Sequence, residues 1–387
     1  MYTALGLMSG TSMDGIDASI IQSDGETKYK VIIDKYFKCP QGIYKNLIKL
    51  RDKIRSSKDL KKFSKEVKNV EKEITLFHAN TVNEILKKTK VNVDFIGFHG
   101  QTIYHNAKKK ISKQLGDGKL LSKLTKKTVV YNFRENDLKN GGQGAPLTPI
   151  FHKLLIDQKN IKTPVIILNI GGITNSTLIY KDIGPQHYSG GNWKNKKQIK
   201  QSYLLSGDVG PGNCLIDRWI REHTNKLYDK NGKIASSGKI NKQIVYDAIA
   251  ELMINKKNSY DIKDFDGVFG TFKKLSLKDG AASLAEYTAD AIHLEYESFF
   301  TSSAWIKNLY YLISGGGRKN NFLFNRIKKK IKKSVKPIDD LGINGDFIES
   351  QAFAYLAIRS YLKLPISFPE TTGCLRACTG GAIVEAK

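Results

Sequence analysis

No apolar run in the chain comes near the ~20 residues that a membrane-spanning helix requires. Stretches such as Val165–Leu168 and Ile20–Ile21 are a fraction of that length, so no membrane partner is expected. The opening residues Met1, Tyr2 and Thr3 lead straight into a strand-like segment. No basic region precedes an apolar one there, so a secretory leader is not expected and the reading is cytoplasmic. Cysteine is scarce: Cys39, Cys214, Cys374 and Cys378 contain no CxxC pair. Cys374 and Cys378 have the spacing of half a metal site, but no second half accompanies them, and all four read as reduced thiols. The scattered histidines form no HExxH pattern. Acidic residues are also few, 37 against 63 Lys and Arg, for a formal charge of +26. Lysines are spread along the whole chain, however. The densest basic run, Arg326–Lys333, places Ile327 and Ile331 on the buried side of a helix and lacks the aromatic interleaving of an RNA-reading sheet. No nucleic-acid partner is expected, and the charge reads as compositional bias that would help steer an anionic substrate.

What is present suggests two domains. A chain of 387 residues, 40% of them apolar, exceeds the roughly 250–300 at which single cores split. Two segments resemble each other. In Ala4–Ile21 an apolar stretch enters a glycine-rich turn and an alternating stretch leaves it; Val165–Tyr180 does the same around Gly171 and Gly172. Each reads as a β-hairpin opening a domain. The expected domains are residues 1–160 and 161–387, and the alternation of strands with long helical patterns argues α/β layers. Lys181–Gln201 and Tyr228–Lys242 read as exposed loops or excursions.

Four glycine-bearing turns carry the chemistry. Gly10, Thr11, Ser12, Met13, Asp14 and Gly15 form a turn whose backbone amides and hydroxyls suit an anion. Asp14 and Asp17 are candidates for the Mg²⁺ that accompanies a nucleotide. The turn is not a P-loop, because no Lys follows and a strand comes next; an ordinary hairpin turn is the alternative. Gly171 and Gly172 would be the opposed turn on the second domain. Gly315, Gly316 and Gly317 lie between a strand and a helix, where a base or ribose would rest on backbone; a tight connecting turn is the alternative. Asp208, set among Gly207, Gly210 and Gly212, reads as a general base projected from a stiff loop, or as a helix cap. Two polar clusters are expected at strand ends, around His99 and Gln101 and around Arg134 and Asp137, offering partners for a polyhydroxylated anionic ligand.

Taken in order, the blocks GLMSGTSMDGID (Gly6–Asp17), HGQT (His99–Thr102), GDGKLL (Gly116–Leu121) and NFRENDLKNGGQGAPLTPIFH (Asn132–His152) resemble the anhydro-N-acetylmuramic acid kinase family of the actin/Hsp70/sugar-kinase superfamily. LNIGGITN (Leu168–Asn175), DVGPGNCLIDRW (Asp208–Trp219), YDKNGKIASSG (Tyr228–Gly238), SGGGRKN (Ser314–Asn320) and ESQAFAYLAIR (Glu349–Arg359) continue the likeness. The resemblance implies two ribonuclease-H-like, actin-like ATPase domains with an interdomain active-site cleft. It implies ATP and Mg²⁺ as cofactors and a small anhydro-amino sugar as substrate, hydrolytically opened and phosphorylated at O6 in cell-wall recycling. It implies that Gly10–Asp17, including Ile16, bind ATP, that Asp208 is the catalytic base, and that His99, Arg134 and Glu349 belong to the sugar site. A homodimer is compatible with it, though the sequence offers no patch for one. The chain departs from the family at Asn132, where an Asp is usual, at Gly118, at Lys256–Ser259, and within Thr371–Gly381, which keeps Thr372 and Gly373 but has an unusual Cys374-Leu-Arg-Ala-Cys378 filling. A same-fold kinase for another sugar and a non-enzymatic nucleotide-binding protein are the competing readings.

Overall fold

The Gly10–Gly15 and Gly171–Gly172 turns fold as hairpins because each is flanked by β-branched and aliphatic runs with nowhere to go but a sheet interior. A computed structural model describes residues 1–181, 202–257, 259–301 and 309–386. The expected loop Lys181–Gln201 lies, beyond Lys181, outside the described residues. The first sheet is built from β1 (Tyr2–Ser9), β2 (Gly15–Ser23), β3 (Tyr29–Lys38), β4 (Phe95–Asn106), β5 (Ile111–Leu115) and β6 (Thr128–Tyr131), joined by β12 (Ala382–Val384). Its order is β12-β6-β4-β1-β2-β3, with β5 paired to β4. The second contains β7 (Val165–Ile170), β8 (Ile173–Lys181), β9 (Ser202–Pro211), β10 (Tyr310–Ser314) and β11 (Ser334–Pro337), in the order β11-β10-β7-β8-β9. In both, a three-stranded antiparallel meander is extended by two strands parallel to its first. The same topology twice, with helices between the strands, is a pair of ribonuclease-H-like α/β units.

The expected division at residue 160 falls between the sheets, but the chain does not keep to it. The helix Ile348–Tyr361 returns to pack across β1, β2 and β4, and β12 pairs with β6. The return is legible in the glycines. Gly6 and Gly97 are neighbours across the β1–β4 ladder. A Cβ on Gly6 would overlap the Ser350 carbonyl oxygen, and one on Gly97 the Phe353 carbonyl oxygen. Two missing side chains thus let a helix lie directly on the sheet. Every residue of that helix from Ile348 to Ser360 is buried except Glu349, which is half-buried. One apolar core is shared by this helix, β7 and the helix Pro149–Gln158, so the halves meet over packed side chains.

Strand β4 does not stop at Phe98 but runs to Asn106, so His99 and Gln101 lie within it and not at its end. The apolar run ends at Phe98 because the strand there leaves the sheet centre to pair with β5. Residues Tyr228–Lys242 are largely exposed, as expected, and are pinned at three buried points, Asp229, Gly232 and Ala235. They form two short 3₁₀ turns in which the buried Asp229 accepts the Ile234 and Ala235 amides (both 2.9 Å), and Gly232 abuts Asn320 and Phe322. No helix among the described residues is long and apolar enough to cross a membrane.

Candidate active site

Three glycine turns converge between the sheets. The β1–β2 turn is closed by the Met13 amide donating to the Gly10 carbonyl (3.1 Å). Met13 takes a positive φ of 60° and buries its side chain in an apolar core, as Ile16 does in another. Of the expected phosphate loop, these two side chains are anchors, and what faces outward is backbone, Thr11, Ser12, Asp14 and Asp17. Gln101 braces the turn: its Nε2–H donates to Gly10 O (3.0 Å), and its Oε1 accepts from Ser9 Oγ (2.6 Å). The opposed turn between β7 and β8 meets it directly, since a Cβ on Gly172 would overlap Thr11 Oγ1. The amides of Gly212 and Asn213 donate to Gly172 O (2.9 Å) and Gly171 O (2.8 Å), which brings the start of the helix Cys214–His223 to the same place. Gly315, with φ +77°, lies against Asn169 and Ile170, joining the third turn to the end of β7. Behind it the buried Arg318 holds Asp339 (2.6 and 2.9 Å) and Asp346 (2.7 Å).

Carboxylates gather around these turns. Burial, reinforced by Glu349, Asp14 and Asp346, raises the Asp17 carboxyl to about 8. Asp217, on the first turn of its helix, is raised to about 7 by burial, with Asp14 and Asp229 adding to the effect and Arg221 opposing it. Negative groups facing one another in a sheltered site, with hard oxygen donors, are what a magnesium–nucleotide complex would relieve. Asp14 and Asp17 fit that ion.

Asp208 was expected in a loop; it lies instead within β9, opposite Asn175 of β8. Glycine and proline read as a loop, yet β9 is an edge strand, where both are tolerated. The ladder shifts register between Thr174 and Asn175, leaving Val209 as the extra residue of a bulge that re-aims its neighbours. The helix-cap alternative fails, because the helix starts at Cys214 with Asn213 at its N-cap. The Tyr260 amide donates to Asp208 Oδ2 (2.9 Å) and the Ser259 hydroxyl also bonds the carboxylate. Burial outweighs these bonds and the nearby Arg134, raising the carboxyl to about 6.

Arg134, from the first sheet's side, is held from two directions. Its Nη1–H donates to Gly144 O (2.7 Å), and its Nη2–H donates to His99 Nε2 (2.8 Å). His99 Nδ1–H in turn donates to Gly100 O (2.7 Å), so both ring nitrogens are engaged. Burial and the adjacent guanidinium hold the imidazole neutral, its pKa well below the ordinary value. His99 therefore orients Arg134. The guanidinium charge is felt by Glu349, Asp208 and Asp137, and Glu349, raised by burial, makes no hydrogen bond among the described residues. Two buried polar atoms here lack partners, Arg134 Nε and Asn175 Oδ1, the kind of vacancy that a ligand or ordered water fills.

Asp137, by contrast, is not turned to the cleft: its oxygens accept from Thr372 Oγ1 (2.5 Å) and the Gly144 amide (2.6 Å). Three contributors were missed. His105 Nε2 lies 3.2 Å from Ser259 Oγ and ties β4 to the segment that holds Asp208. Asn175, opposite the Asp208 backbone, is the third. The HGQT block pointed to the strand carrying His105, but nothing local marked Ser259.

A family model described as anhydro-N-acetylmuramic acid kinase matches residues 2–196 and 199–386. The chain is 53% identical to the anhydro-N-acetylmuramic acid kinase of Pelagibacter ubique over 99% of its own length and 98% of that protein. It is 36% identical to the enzyme of the same name from Agrobacterium fabrum, over 99% of both. Among solved structures, gluconate kinase from Lactobacillus acidophilus matches at 11% identity and a TM-score of 0.39, over 93% of this chain and 89% of that one. The activator of the 2-hydroxyisocaproyl-CoA dehydratase from Clostridium difficile, with bound ADPNP, matches at 11% and 0.42, over 92% and 94%.

Proposed function

The chain belongs to the anhydro-N-acetylmuramic acid kinase family, and from that premise we propose that it opens the anhydro ring of 1,6-anhydro-N-acetylmuramate with water and phosphorylates O6 from ATP, in the cytoplasm. Asp208 takes a proton from water as the water oxygen bonds to the anomeric carbon. The C1–O6 bond breaks, O6 attacks the γ-phosphorus, and ADP leaves. The observation that carries the reading is Asp208 itself, fixed by Tyr260 and Ser259 and tuned to about 6, as a base working near neutrality requires. Arg134 and Glu349 would receive the sugar's anionic and hydroxyl groups, with His99 fixing the guanidinium. Asp14 and Asp17 would hold Mg²⁺, which neutralises phosphate charge when bound. Positioning and charge neutralisation then suffice without a covalent protein nucleophile.

Products formed from ATP, the anhydro-sugar and ¹⁸O-water test this. Mass spectrometry should find the label at the anomeric hydroxyl of a 6-phosphorylated sugar; label in the phosphate, or none at C1, refutes the coupled reaction. A second expectation concerns pH. Because the base must be ionised, kcat/KM should fall about tenfold per unit below the Asp208 pKa and level off above it, that pKa being about 6. A rate independent of pH between 5 and 7 would assign the base elsewhere. The phosphate turn has its own test. A Cβ on Gly10 would meet only Ser12 Oγ, at 3.8 Å, so Gly10→Val should fold normally. Its side chain would occupy the anion's approach and weaken ATP binding about tenfold or more, roughly 1.4 kcal/mol, by calorimetry. Unchanged affinity removes the turn from the nucleotide site.

A further inference from the structure

One cluster of donors serves no part of this reaction. Asp137 lies on the short helix Glu135–Lys139, while Cys374 and Cys378 flank the exposed residues Leu375, Arg376 and Ala377 near the C-terminal end. A carboxylate oxygen and the two Sγ atoms all lie within 4.8 Å of one another, and all three side chains are buried. In sequence the cysteines are half of a metal site without its partner; the fold brings the missing oxygen donor from far along the chain. We propose that Asp137, Cys374 and Cys378 bind a thiophilic divalent cation of the zinc class, with solvent as fourth ligand.

Two sulfurs and one carboxylate oxygen suit tetrahedral zinc, whose bonds of about 2.3 Å to sulfur and 2.0–2.2 Å to oxygen need only a small contraction of the cluster. The surroundings already orient the donors. Thr372 Oγ1 and the Gly144 amide fix the Asp137 carboxylate, each oxygen keeping a lone pair, in the manner of outer-sphere partners at metal sites. The Cys378 backbone is bridged to Ser367, its amide donating to Ser367 O (3.0 Å), and the Leu375 amide donates to Asn140 O (3.0 Å). The thiols themselves have only weak partners: Cys374 Sγ–H donates to Arg376 O (3.2 Å), and Cys378 Sγ lies 3.1 Å from Ser367 Oγ. Metal binding would replace these contacts, releasing both thiol protons to solvent. A Cys374–Cys378 disulfide is the rival use of the same atoms. It would need a thiolate beside a buried carboxylate, a like-charge encounter in a low-dielectric site, whereas the same carboxylate favours a cation. The site stands apart from the cleft, but Gly144 links them, giving its amide to Asp137 and its carbonyl to Arg134. A bound ion would tie the C-terminal segment to the loop that seats the guanidinium.

The test uses the full chain, reduced and stripped of metal with a chelator, titrated with Co²⁺ and then Zn²⁺. One Co²⁺ per chain should bind with intense thiolate-to-cobalt absorption and tetrahedral visible bands, both quenched by Zn²⁺. The bands should be lost in C374S/C378S and retained in Cys39→Ser, and Zn²⁺ should raise the melting temperature of the unaltered chain. Absence of thiolate bands in the folded, reduced chain overturns the proposal whether or not the variants fold. So does an intact mass of the freshly purified chain showing the two thiols joined as a disulfide.

Discussion

Asp208→Asn should lower kcat by about 10²–10⁴, the range a positioned general base supplies, while ATP affinity stays within a few-fold. The separation follows from where the groups sit. Asparagine fills the same volume on β9, and its oxygen can still accept the Tyr260 amide (2.9 Å in the native chain), so the fold has no reason to yield. It cannot take up a proton. The turns at Gly10–Gly15, Gly171–Gly172 and Gly315–Gly317 gather at the end of β7 and the start of the helix Cys214–His223, while the Asp208 carboxylate is held by Tyr260 and Ser259. Steady-state kinetics beside calorimetric ATP titration read both halves. A near-normal rate in the variant removes Asp208 from the chemistry, and a parallel collapse of ATP binding would mean that the residue is structural.

The largest effect on stability is expected from Gly6→Val. The added Cβ would overlap the Ser350 carbonyl oxygen and lie 2.5 Å from the Ala354 amide nitrogen. Both are backbone atoms of a helix buried along nearly its whole length, so no side-chain rotation relieves the clash. Overpacking of a core costs typically 1–3 kcal/mol. With backbone on the other side, about 3 kcal/mol or more is expected, read as a fall of roughly 4 °C or more in melting temperature. Activity should fall with it, because the lifted helix carries Glu349. Gly97→Val, whose Cβ would overlap Phe353 O, should behave alike. A melting temperature unchanged in both variants would show that the helix does not rest on these glycines.

Local sequence reaches only as far as neighbours in the chain. Both opening hairpins were legible because apolar strand, glycine turn and strand are adjacent in the chain. The repeat of one topology followed from the repeated hairpin. What escaped was set by distant partners. Asp208 looked like a loop residue because an edge strand tolerates the glycines and proline around it. Ser259 and His105, 154 residues apart, meet only after the two halves close on each other. Gln101 looked like a ligand contact; its amide braces the Gly10–Gly15 turn, a role visible only once Gly10 is its neighbour. Cys374 and Cys378 had half a motif; their third donor is chosen by the packing of the last forty or so residues, which no local pattern encodes.

The return of the helix Ile348–Tyr361 and strand β12 to the first sheet also orders events during synthesis. When the ribosome has delivered β1–β6, the groove over Gly6 and Gly97 is bare and the β6 edge is unpaired, so a chain emerging from its N-terminus holds an open apolar face for most of its translation. Only the final stretch covers it. A chain released early, before residue 348, would carry both glycine-rich hairpins and Asp208 and still present chaperones and proteases with an uncovered sheet.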